Sequence, residues 1–198
     1  MAEHGVEGSI PTARLDALTD GVIAIAITLL VLELRVPEGI GHLDGDALFG
    51  LLADMRHQFA GYVVSFVVVG TLWLRHVQIL RGSQPADGTT VWMTLGFLGA
   101  VAMVPFTTAL LSRNHGVAAT AVYGASMAVA SLLLSLMARR RRPRSREPGL
   151  LVQFAIPALF VASIGLAFWN PMAARLSWLL ILPISLFATG NPRRPDSA

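Results

Sequence analysis

The chain of 198 residues is 54% hydrophobic and 14% charged, with a mean hydropathy of +0.62. Soluble domains carry about 25% charged residues, so this composition excludes a soluble globular protein and describes an integral membrane protein. The pI near 10.5 and net charge of +3 raise nucleic acid as a partner, but all fifteen basic residues are arginines at the ends of apolar runs, which excludes it, and the absence of cysteine excludes disulfides and thiolate metal sites.

Residues 1–13 read as a short polar tail. Its acids Glu3 and Glu7, and the lack of small residues around Glu33 to Pro37, argue for a retained first span rather than a cleaved leader. The first predicted span covers 14–36 and holds RLDALTDGVIAIAITLLVLEL from Arg14 to Leu34. Four polar residues mark its start, Arg14, Asp16, Thr19 and Asp20, and Thr28 lies at mid-length. Polar groups are costly in lipid and so point to function. At about 100° per residue, Ile25, Thr28, Leu29 and Leu32 share one stripe with Gly21, Glu33 falls on its margin, and Asp20 projects about 140° from Ile25. Such a stripe fits a helix-packing seam or the lining of a pore. Asp20 also reads as an acid stabilising the helix start.

Five further spans follow, at 47–80, 90–112, 117–138, 149–169 and 172–189, each close to the roughly 20 residues a bilayer requires. The second is irregular, because Asp54, Arg56 and His57 interrupt its first half, and its start is expected at the interface or outside. Gly96, Gly99 and Ala100 in the third span and Ala121, Gly124, Ala125 and Ala128 in the fourth allow close helix approach. Pro157 and Pro183 lie inside the last two spans, where such helices tolerate proline. Breaks at Pro37-Glu38-Gly39, Gly82 to Pro85, Asn114-His115-Gly116 and Asn170-Pro171 keep the loops short. The expected organisation is an N-terminal tail over 1–13, one six-helix membrane domain over 14–189 and a C-terminal tail over 190–198.

With six spans, one side of the membrane holds Arg14, Arg75, Arg81, Arg139 to Arg142, Arg144, Arg146, Arg193 and Arg194, eleven in all; the other holds four, Arg35, Arg56, Arg113 and Arg175. The excess places both termini and the RRRRPRSR loop in the cytoplasm. His4, His42, His57 and His115 form no metal-ligand spacing, and no nucleophile and base or phosphate-cradling loop is present, so neither an enzyme nor a bound cofactor is expected.

Three motifs carry a resemblance. Arg14-x-x-x-Leu18-Thr19-Asp20 is similar to the R-x-x-x-F-S-D opening of the transmembrane protein 175 family of potassium channels, with leucine for the phenylalanine and threonine for the serine. Trp73-Leu74-Arg75-His76 resembles its W-x-x-H, and Pro105-Phe106-Thr107-Thr108-Ala109-Leu110-Leu111 its P-F-x-T-x-L-L. Together these reach through about the first 112 residues.

The resemblance implies an all-α homotetramer in the lipid bilayer with the first helix of each six-helix subunit lining a central pore. Ile25 would form the narrowest hydrophobic ring, Leu29 and Leu32 would extend the constriction, and Thr28 would supply a hydroxyl layer for selectivity. Glu33 would sit at the outer mouth, paired with Arg35 or solvated. Arg14, Thr19, Asp20, Trp73 and His76 would form a polar network supporting the pore helix. The implied activity is passive, potassium-selective or potassium-preferring leak of monovalent cations across the cell membrane, with proton permeation through relatives' chemistry. The competing class is a secondary transporter using an Arg14, Asp20 and His76 cluster; a non-conducting scaffold would use the Ile25 stripe only for packing.

Overall fold

The structure is a computed structural model that describes residues 11–37, 44–81, 85–114, 116–141 and 150–189, with side chains to residue 185. Most of both tails lies outside these, as do Glu38, Gly39, His42, Gly82 to Gln84, His115 and the Arg142, Arg144 and Arg146 part of the basic loop. The described residues are helical, joined by short connections.

Helix α1 spans Thr12–Val31, α2 Gly45–Asp54 and α3 Arg56–Leu80; α4 spans Gly88–Ala102 and α5 Val104–Arg113. Helix α6 covers Val117–Arg141 and α7 Leu150–Trp169, followed by α8 over Pro171–Ser177, a 3-10 turn at Trp178–Leu180, and α9 over Ile181–Thr189. Among the described residues, four stretches are long and apolar enough to cross a membrane by length and composition, Arg56–Leu80, Gly88–Arg113, Val117–Arg141 and Leu150–Trp169, and neither the first nor the sixth predicted span is among them. Trp92 and Trp169, 75% and 91% exposed near helix ends, suit the interfacial layers where indoles collect.

The elements depart from the predicted spans where local hydrogen bonding overrides hydropathy. The first helix stops at Val31, not 36: the Leu32, Glu33 and Leu34 amides bond three residues back to Leu29, Leu30 and Val31, tightening the end into a turn. The helix starts at Thr12, so Asp20 lies in its third turn and makes no N-terminal cap. The second span divides at Met55 into α2, which buries none of its residues and is capped by Asp44 accepting from the Ala47 amide, and the long α3. That division agrees with an irregular, peripheral start. The third bends at Met103 because Pro105, in the first turn of α5, has no N–H to continue the ladder. The sixth is interrupted at Trp178 rather than at Pro183, while α7 runs on through Pro157.

Small and polar residues set the packing. A β-carbon on Gly124 would come within 3.1 Å of Ile164 Cγ1, and one on Gly96 within 3.2 Å of Leu133 Cδ1, so these two glycines bring α6 against α7 and α4 against α6. Gly99 and Ala125 are exposed, and nothing within the subunit lies within 4 Å of where a Gly99 side chain would begin. Polar cross-links hold the α6–α7 interface and others. Gln153 Nε2 donates to the Ser135 carbonyl at 2.8 Å while Ser135 Oγ donates to the Gln153 carbonyl at 2.9 Å, and Ser65 and Thr108 hydroxyls meet at 2.8 Å. Trp178 Nε1 donates to Ser163 Oγ at 2.8 Å, which secures the interrupted last segment to α7. Each such bond inside a bundle contributes on the order of 1 kcal/mol, because the separated helices also find polar partners.

Outside the spans, Asp87 caps α4 by accepting from the Thr90 amide and hydroxyl, and it meets Arg140 Nη2 at 3.2 Å. The Thr90 bonds first, and then Arg140, hold its carboxyl below the ordinary carboxylate range. At least one arginine of the basic run therefore ties α6 to the α3–α4 connection.

Candidate functional site

Among the described residues, helix α1 packs chiefly on α3, α4 and α5, which leaves one of its faces uncovered. Its 3.6-residue period divides the side chains cleanly. Ile23 and Ala26 are 3% exposed and Leu30 0%, turned into the bundle; Ile25, Leu29 and Leu32 are 61%, 43% and 64% exposed on the opposite side. Gly21, Ala24 and Thr28 share this uncovered face, and nothing lies within 4 Å of where a Gly21 side chain would begin. Small residues there permit a neighbouring helix to approach closely.

Thr28 donates its hydroxyl hydrogen to the Ile25 carbonyl at 2.8 Å, one residue nearer than the Ala24 carbonyl that a four-residue spacing suggests. With the proton committed to the backbone, the oxygen's lone pairs stay free on the uncovered side. Leu32 is the C-terminal cap of α1 in helical geometry, so the apolar stripe continues one residue past the last regular turn.

At the edge of this exposed side, away from Ile25, Asp20 is itself exposed, and its Oδ1 accepts from Trp73 Nε1 of α3 at 2.7 Å, a short bond across 53 residues of chain. His76, one turn further along α3, is wholly buried and stacks on Phe97 of α4 with ring centroids 5.4 Å apart and planes 10° apart. Neither His76 ring nitrogen nor the Thr19 hydroxyl, which is also wholly buried, bonds another described residue. Arg14 is exposed; its amide bonds the Pro11 carbonyl, and its side chain bonds no described residue. The five residues expected to form one network are therefore joined directly only at Asp20 and Trp73; Thr19 and His76 are buried polar groups in the same shell, and Arg14 stands outside it. A basic residue that hydropathy did not single out, Arg141 at the end of α6, acts electrostatically on both Asp16 and His76.

At the far end of α1, Glu33 faces Arg113 of α5, with Oε2 at 4.0 Å from Nη2. This replaces the expected pairing with Arg35, whose side chain is exposed and whose amide instead donates to Gln58 Oε1 at 2.9 Å. Among the described residues no group of three or more His, Asp or Glu could hold a metal ion. Arg14, Asp20 and His76 are not assembled into a shared pocket, so the substrate site that a transporter requires is not built from them.

The profile of a family described as "Endosomal/lysosomal potassium channel TMEM175" matches residues 14–105. The chain is 34% identical over 205 residues to "Potassium channel B446_29190" of Streptomyces collinus, covering 94% of this chain and 98% of that one. It is 33% identical over 97 residues to "Endosomal/lysosomal proton channel TMEM175" of Bos taurus, which takes in 44% of this chain and 20% of the bovine protein. The fold is similar to the crystal structure of a lysosomal potassium-selective channel TMEM175 homolog from Chamaesiphon minutus, with a TM-score of 0.78, 25% identity, and coverage of 90% of this chain and 98% of that one.

Proposed function

The chain belongs to the TMEM175 family of ion channels, and we propose that it is a potassium-preferring leak channel of the cell membrane in which copies of α1 surround the ion path. The observation that carries this reading is the uncovered α1 face bearing Ile25, Thr28, Leu29 and Leu32. One subunit encloses no water path along that face. Closed rotational symmetry turns it inward, and four copies, each of six spans with cytoplasmic termini, make a narrow apolar bore.

An aliphatic ring gives a cation no ligands. Ile25, Leu29 and Leu32 therefore form a barrier that an ion crosses only as the ring widens or wets, without coupling to another substrate. Discrimination falls to Thr28, whose hydroxyl oxygens in four copies present lone pairs one turn from the Ile25 ring. The bond from Trp73 to Asp20 supports α1 at its edge, and Glu33 places negative charge near the outer end. The name of the bovine relative supports proton passage as a second permeation mode, and an alternative role for Asp20 is to relay protons.

Purified protein in a planar bilayer, with potassium on one side and sodium on the other, tests this directly. The expected reversal potential is displaced toward the potassium equilibrium potential, with stepwise single-channel currents. A reversal potential favouring sodium or chloride would overturn the potassium reading; saturable flux without current steps would favour a transporter.

A further inference from the structure

Glu33 is held in an unusual way for an exposed-end carboxylate. Its side chain is only 20% exposed, and Oε2 is buried without a hydrogen-bond donor from any described residue. The nearest positive group is the Arg113 guanidinium at 4.0 Å, 56% exposed, close enough to act on the charge but too far to quench it through a hydrogen bond. The surrounding chain fixes this geometry: the Glu33 amide bonds the Leu30 carbonyl, and the Arg35 amide bonds Gln58 Oε1. The other arginines on this side are otherwise placed. Arg35 is exposed and its side chain bonds no described residue, Arg56 Nη1 donates to the Ala53 carbonyl at 3.2 Å, and Arg175 is held by Thr120 Oγ1 at 3.2 Å and the Asn114 carbonyl at 2.9 Å.

We propose that Arg113 sets the cation-attracting strength of the outer mouth by partly neutralising Glu33, so that it tunes conductance from outside the ion path. This rests on the α1 pore reading, because Glu33 follows Leu32, the outermost residue of the uncovered stripe. Symmetry would place four such pairs around the axis. The field they cast reaches permeant ions most strongly when salt is dilute, the Debye length being about 30 Å at about 10 mM and about 3 Å at about 1 M. Removing the positive partner should raise the local potassium concentration, and removing the negative one should leave a repelling ring of guanidinium groups.

The test is single-channel conductance in symmetric potassium at those two concentrations for the wild type, Arg113→Gln, Glu33→Gln and the double variant. Arg113→Gln should conduct about two- to threefold more than the wild type in dilute salt and equally at high salt. Glu33→Gln should conduct less by a similar factor in dilute salt, the double variant should return close to the wild type, and Arg113→Lys should match it. A gain that persists at high salt, a gain that survives in the Glu33→Gln background, or no gain in a conducting Arg113→Gln channel would overturn the proposal. A wild-type protein that carries no current would instead overturn the channel reading beneath it.

Discussion

Ile25→Ala should raise unitary potassium conductance about tenfold, the factor that corresponds to about 1.4 kcal/mol of barrier, and should weaken the preference for potassium over sodium. Ile25 is 61% exposed on the uncovered face of α1, so truncation removes four side-chain tips from the proposed ring at once without opening a cavity in the subunit core. A shorter side chain widens the ring and lowers the cost of keeping it wet, the two routes by which an apolar constriction passes ions. Two positions away the same helix supplies the control. Ile23 is 3% exposed, and Ile23→Ala creates a void costing about 2–5 kcal/mol of stability while leaving the conductance of folded channels unchanged. Single-channel recording with thermal unfolding in detergent separates the two effects. Unchanged conductance and selectivity in Ile25→Ala would move the constriction elsewhere.

Loss of the Asp20 and Trp73 bond should have the second largest effect, and on assembly rather than on permeation. Asp20 lies about 140° around the helix from Ile25, and its exposed carboxylate meets the indole of α3 at 2.7 Å, so it ties the edge of α1 to α3. Asp20→Ala and Trp73→Phe should each reduce the yield of intact oligomer, and the double variant should be no worse than the poorer single one. The coupling energy from such a cycle should be about 0.6–1.7 kcal/mol, the range that double-mutant cycles give for polar contacts between membrane helices. Asp20→Asn, whose amide oxygen still accepts from the indole, should fall between Asp20→Ala and the wild type. Additive effects would show that the bond does not hold α1. A stable oligomer of Asp20→Ala that lacks only proton-linked current would assign Asp20 to a proton relay.

The division of α1 into two faces was legible because a helical period acts on every residue alike: exposure follows the stripe of Ile25, Leu29 and Leu32, and burial follows Ile23, Ala26 and Leu30. Helix ends were less so. The apolar run continues past Val31 to Leu32, whereas the end at Val31 depends on amides turning to carbonyls three residues back. The bend at Met103 did have a local signal, Pro105 at the start of α5, inside a run that otherwise reads as one span. Pairings between distant residues had none. Nothing near Glu33 in the chain points to Arg113, eighty positions on, whereas the nearby Arg35 is the obvious partner, yet its side chain is exposed and only its amide is held, by Gln58 Oε1. Similarly, the motif residues Arg14 and Asp20 look like members of one cluster, yet six positions correspond to about 240° of helix rotation, which sends them to different surroundings. Gln153 is the one packing determinant that a closer reading could have found, since an amide within an apolar run must bond something in the bundle.

The absence of cysteine allows the most direct test of the pore assignment, silver-ion block of single-cysteine variants along α1. A thiol that lines the ion path meets permeating silver and blocks current; one buried against α3 and α4 does not. Cysteine at 25, 28, 29 or 32 should make potassium current sensitive to silver, and cysteine at 23, 26 or 30 should leave it insensitive. Block confined to 23, 26 and 30, or absent throughout α1, would contradict the account.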